Sequence, residues 1–164
     1  MSKNIYLHEL TAFFAGDKKR INHALKVLHF AEMIMAGEGV NEEMRHVVTI
    51  AALLHDVGIK AAEQKYNSSA GHYQEREGPP IAEAIMLRQG EPQTVRARVG
   101  YIIGGHHTAA RNDGLDFQII WEADLLVNIA EEGLVQQGAA LAEIIEKNFR
   151  TATGKAIACK KYLA

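Results

Sequence analysis

Residues 49–60 read TIAALLHDVGIK, and the fold follows from how this stretch is understood. An unbroken apolar run, Ile50 to Leu54, meets His55 and Asp56 and then resumes at Val57. An ionised aspartate in such a setting is expensive unless positive charge or hydrogen bonds compensate it. The pair therefore predicts a partner elsewhere in the chain. Upstream, NEEMRHVV supplies a helix start, with Asn41 as the cap and Glu42 and Glu43 at the positive end of the helix dipole. Gly58 marks the finish of that helix or a kink.

Working outward, the glycines and prolines punctuate intervals that carry helical rather than alternating patterns. A short helix is expected over Ile5 to Phe14, ending at Gly16, and Asp17 then caps a longer one through Met35, closed by GEG. KYNSSAGHYQEREGPP reads as a polar loop whose proline pair opens the helix IAEAIMLRQ. PQTVRARVGYII gives another helix, GGHHTAARNDGLD a second loop, and FQIIWEADLLVNIAEE, VQQGAALAEIIEKNF and GKAIACKKYL complete the set. The expectation is an all-α bundle.

The totals bound the class. At 164 residues the chain is long enough for one domain with a full core, so 1–164 is expected as a single unit. No apolar run approaches the ~20 residues of a membrane span, and MSKNIYLHELTAFF lacks the apolar core of a secretory signal, so a cytoplasmic address is expected. The single cysteine, Cys159, excludes an internal disulfide and a thiolate-cluster zinc site, so any metal must take nitrogen and oxygen ligands. A net charge of −2 with interspersed signs gives no footprint for long nucleic acid.

Within that frame certain polar residues stand at inward positions. His23 shares a helix face with Val27, Phe30 and Ile34, and Asp124 sits at helical spacing from Ile120, Trp121 and Val127. Each has an ordinary reading when taken alone. His23 would be a core imidazole bonded to a carbonyl, His55 and Asp56 a buried pair, and Asp124 one half of a helix–helix salt bridge. Together, two histidines and two aspartates from three helices make the nitrogen/oxygen set that binds a divalent metal such as Mn, Fe, Co, Ni, Zn or Mg. One ion explains four stranded groups.

The order His23, then HD at 55–56, then Asp124 in EADLL resembles the H…HD…D signature of the HD-domain metal-dependent phosphohydrolase superfamily. RINHALKVLHFAEMI is similar to that family's first ligand helix, and the likeness covers Lys18 to Glu131, with the helices of 134–164 expected to pack on that core. The resemblance implies an HD-domain helical bundle in which His23, His55, Asp56 and Asp124 hold the metal. It further implies that His106 and His107 of GGHHTA hold a second ion, as a similar pair does in binuclear members; two solvent-facing loop histidines are the competing reading. His72 or Glu75 would be the remaining donor of such a site, although each reads first as a solvated residue.

The activity this implies is hydrolysis of a phosphate mono- or diester, on a small phosphorylated substrate of the nucleotide class. Asp56 would orient the attacking water or accept its proton. Lys60, one turn beyond Asp56, is a catalytic candidate, and Arg20 and Arg111 are candidates for binding phosphate, since cations near a metal neutralise phosphoryl charge. Asn128, one turn after Asp124, is a candidate to orient that carboxylate. The absence of a GYP element after His107 and of an ED extension after the HD motif reduces the weight of the cyclic-dinucleotide and alarmone branches. Two alternatives of the same fold stay open: a di-iron oxygenase, and a non-catalytic nucleotide-binding sensor.

Overall fold

A computed structural model describes residues 2–164. Among these, nine α-helices and two single 3-10 turns account for the regular structure: α1 (Ser2–Phe14), α2 (Lys18–Glu38), α3 (Glu42–Leu54), α4 (Ile59–Tyr66), α5 (Gly71–Arg88), α6 (Gln93–Ile103), α7 (Leu115–Glu131), α8 (Ala139–Asn148) and α9 (Ala152–Tyr162). Residues 49–54 of the stretch quoted above form the second half of α3, and every residue from Val47 to Leu54 is buried. Helices α1, α2, α6 and α7 pack directly on it. Burial of each large aliphatic side chain there contributes roughly 1.5–3 kcal/mol, so α3 is the axis on which the other helices are hung.

The sequence-based caps are present where Asp17 and Asn41 place them. The Asp17 carboxylate accepts from Arg20 N at 3.3 Å, and the Asn41 side chain accepts from Met44 N at 2.9 Å. Helix α2 runs three residues past the expected Met35 and closes at Gly39 in the left-handed conformation, φ 65°. At its far end α3 stops at Leu54, and residues 55–58 form a tight turn into α4. Gly58 is required in that turn because a Cβ there would come within 2.6 Å of Gln74 O and Gly78 N, the backbone of α5.

The expected loop from Lys65 to Pro80 is a correction. Only residues 67–70 lie outside helices, and α5 starts at Gly71, with Pro79 and Pro80 in its interior rather than at its opening. Two missing N–H donors in mid-helix are costly, ~3 kcal/mol for an ordinary interior proline. Tertiary bonds on the first half of the helix offset this. Glu77 accepts from Lys65 Nζ at 2.8 Å and from Tyr66 Oη at 2.9 Å, while Gln74 donates to Ser69 O at 2.6 Å. After α7 the chain passes through α8 to α9, which packs on α2 and α7. No described helix is long and apolar enough to cross a membrane.

Candidate metal centre

Helix ends and helix faces from four parts of the chain meet at one point. His23 comes from the inner face of α2, His55 and Asp56 from the turn that ends α3, Asp124 from the middle of α7, and His106 and His107 from the turn that follows α6. His55 and His106 are held by the same local device. Each lies just past a helix end and donates Nδ1–H to a carbonyl three residues back, Ala52 O and Ile103 O, both at 2.7 Å. These carbonyls are among those a helix terminus leaves without an intrahelical donor, so one bond satisfies the helix end and fixes the ring. His23 donates Nδ1–H to Glu131 Oε2 at 2.9 Å.

With Nδ1 carrying the proton, a neutral ring presents a bare Nε2 lone pair. All three Nε2 atoms point at the carboxylates. His23 Nε2 lies 3.2 Å from His55 Nε2, 3.1 Å from Asp124 Oδ1 and 3.3 Å from Asp56 Oδ2. His55 Nε2 lies 3.3 Å from Asp56 Oδ2 and 3.4 Å from Asp124 Oδ1. Lone pairs and negative oxygens at such separations repel unless a proton or a metal ion stands among them. Ligand atoms bonded at about 2.0–2.2 Å to one ion are themselves spaced roughly 3.0–3.5 Å apart, the spacing found here. The donor set therefore fits a divalent metal.

A second group adjoins the first. Asp56 turns Oδ2 toward His23 and His55 and Oδ1 toward His106 Nε2, at 3.4 Å. Among the described residues, His106 Nε2 is the buried side-chain polar atom left without a hydrogen-bond partner. Such an atom calls for an explanation, and a cation beside Asp56 supplies one. The His107 ring stands 4.0 Å from the His106 ring, and its own Nε2 lies 3.0 Å from Gln74 Oε1. Because the Gln74 amide nitrogen donates to Ser69 O, its oxygen faces His107, so His107 donates through Nε2 and keeps Nδ1 bare. Asp56, His106 and His107 can thus hold a second ion, with Asp56 shared between the two.

The titration of the cluster reflects this charge pattern. Burial would raise Asp56, but the His55 charge and the His106 and His55 imidazoles beside it hold its carboxyl well below the usual range. Asp124 is likewise buried, and its bonds to His23 and His55 lower it. Burial pulls His55 down, yet Asp56 and Asp124 together push it well above 6.5; His23 is raised by the same carboxylates. Desolvation and the neighbouring His106 lower His107 to about 4, which leaves it neutral and able to donate a lone pair.

His23, Asp56, His107 and Asp124 line a cavity of about 450 Å³ whose other walls are mainly polar, among them Lys19, Arg20, Ser69, Gln74, Asn128 and Glu131. Of the expected cations, Arg20 reaches this cavity, where it pairs with Asp17 at 3.2 Å and with Glu63. The other two do not line it. Arg111 donates to Gly104 O and to Tyr101 O at 3.3 Å and lies over the Tyr101 ring at 4.2 Å, so it pins the loop behind the histidine pair. Lys60 lies over the Phe13 ring at 5.7 Å, because α4 turns that residue toward α1. His72 rests against Tyr73, and Glu75 is occupied by the Thr108 hydroxyl at 2.8 Å, so neither joins the cluster.

Gln74, Glu131 and Lys19 escaped the sequence reading. Gln74 lies in the segment whose polar, proline-bearing composition predicts a loop, whereas the structure places it in α5. Glu131 had a legible signal, since Asp124, Asn128 and Glu131 fall at helical spacing on one face of α7.

The HD domain family model matches residues 20–147, and the chain belongs to that family. The crystal structure of a predicted HD superfamily hydrolase from an uncultured Thermotogales bacterium is similar in fold, with a TM-score of 0.69 at 22% identity over 96% of this chain and 83% of that one. No curated protein matches the sequence. The all-α HD-domain fold expected from the sequence is thereby established.

Proposed function

We propose that this protein is a metal-dependent phosphohydrolase acting on a phosphate mono- or diester of the nucleotide class. One observation carries the reading: three imidazole Nε2 atoms and two carboxylates converge at 3.1–3.4 Å beneath a polar cavity that His23, Asp56 and Asp124 line. A metal ion bound there supplies Lewis acidity toward a phosphoryl oxygen and makes coordinated water acidic enough to act at neutral pH. His23, His55, Asp56 and Asp124 would hold the first ion, and Asp56, His106 and His107 the second.

The chain's own groups set the rest of the chemistry. Asp56, held well below the usual carboxylate range, is a weak proton acceptor and a strong hydrogen-bond acceptor, so its role is to orient water rather than to deprotonate it. Lys19 and Arg20 on the cavity wall bring positive charge to the phosphoryl group. The polar side chains of the wall suit a hydrated, charged substrate.

The test is release of inorganic phosphate, or of nucleoside monophosphate from diesters, by chelator-treated protein supplied with Mn, Co, Mg or Ni. Turnover restored by metal and lost in Asp56→Ala supports the assignment. Oxygen uptake on substrate addition with iron, without phosphate release, would replace it by the oxygenase reading. Tight nucleotide binding with no turnover under any metal would replace it by the sensor.

A further inference from the structure

The three imidazoles that face the cluster through Nε2 are held by acceptors of different kinds. His55 and His106 use main-chain carbonyls of their own helix ends, an arrangement that side-chain substitution cannot remove. His23 lies inside α2, where the local carbonyls already serve the helix ladder, and its Nδ1 has reached across to Glu131 at the last turn of α7. The second carboxylate oxygen faces Lys26 Nζ at 3.7 Å, one turn beyond His23 on α2.

This difference matters because the His23 ring has a competing state. Moving its proton to Nε2 would turn the 3.1 Å approach to Asp124 Oδ1 into an ordinary hydrogen bond and withdraw the lone pair from the cluster. Nothing in α2 itself opposes that exchange. The Glu131 carboxylate does, because it rewards a proton on Nδ1 and fixes the ring plane, and carboxylate–histidine pairs of this kind also raise the basicity of the opposite nitrogen.

We propose that Glu131 is the positioning residue for His23, selecting the tautomer and orientation in which Nε2 can donate to a metal. The proposal rests on the reading of the cluster as a metal centre, and the experiment separates the two. Metal-free wild type, Glu131→Ala, Glu131→Gln and Lys26→Ala are titrated calorimetrically with Mn²⁺, and with Zn²⁺ as a second probe.

Glu131→Ala should bind about 10–100-fold more weakly, the usual cost of losing such a partner. Glu131→Gln, whose amide oxygen still accepts Nδ1–H, should stay within roughly threefold of wild type, as should Lys26→Ala. Wild-type affinity in Glu131→Ala overturns the proposal, and so does an equal loss in the alanine and glutamine variants. Failure of wild type itself to take up either ion refutes the metal centre instead.

Discussion

Helix α7 carries two buried acids two residues apart, Glu122 and Asp124, and they lead opposite lives. Glu122 is fully buried, yet donors surround it: Arg150 N at 2.9 Å, Thr151 N at 3.0 Å, the Thr151 hydroxyl at 2.6 Å and the Gln118 amide. Its carboxylate fastens α7 to the start of α9, where Thr151 is also the N-cap, and a side chain at Gly154 would collide with it. Asp124, on the other side of α7, faces imidazole nitrogens and a second carboxylate instead. Burial of an acid therefore does not mark a functional site. The character of the neighbours does, since donors complete a structure and acceptors leave room for a cation.

The largest expected effect tests the functional half of this contrast. Asp124→Ala should lower metal-dependent phosphate release per folded molecule by on the order of 10³-fold, while Glu122→Ala should leave it within about twofold. A Glu122→Ala protein that is folded but inactive would dissolve the distinction. The structural half predicts the reverse ordering in stability. Glu122→Ala strands several buried donors and should cost about 3 kcal/mol in denaturant unfolding, with α9 released first in hydrogen exchange.

A further difference concerns pH. His23 and His55 are raised above 6.5, so what their protonation adds to metal-free stability is complete below about 6.5 and is lost as pH rises through the raised values. Asp56 and Asp124 are lowered below 3.8, so their share is present above about 3.8 and is lost as pH falls through the lowered values. Metal-free melting temperature should accordingly decline above neutral pH. Over the same range Mn²⁺ affinity should rise, about tenfold per pH unit for one displaced proton, because the ion must expel what the histidines hold. Affinity that is flat between pH 6 and 8 would mean that the rings are neutral before the metal arrives.

The smallest effects belong to the cations that stand apart from the cavity. Lys60→Ala should change turnover by less than about twofold, since its ammonium lies over Phe13. Arg111→Ala should act through stability, by about 1 kcal/mol, because it frees the Gly104 and Tyr101 carbonyls behind the histidine pair. A large drop in kcat for Lys60→Ala with KM unchanged would bring that residue back into the chemistry.

Much of this was legible in advance. The caps at Asp17 and Asn41, the buried run of α3 and the helical spacing around His23 and Asp124 are local patterns that the chain must satisfy wherever it goes, and they point to the bundle and to the inward positions of those two residues. The start of α5 was not, because a polar, proline-bearing segment is made helical by bonds from Lys65 and Tyr66 that no local pattern announces. The directions of Lys60 and Arg111 are not legible for a related reason: closeness along a helix fixes the residue's position but not the direction of a long side chain.

By itself the sequence determined which residues are inward, which helices carry them and that nitrogen and oxygen donors must meet a positive charge, since all of these follow from helical period and the cost of burying an acid. Only the tertiary structure decided that Asp56 serves both groups of donors, that Glu131 rather than a backbone carbonyl holds His23, and that Arg20 and Lys19 are the cations facing the cavity. Those choices depend on where separate helices pass one another, and such distances are set by packing across the whole core rather than by any segment within it.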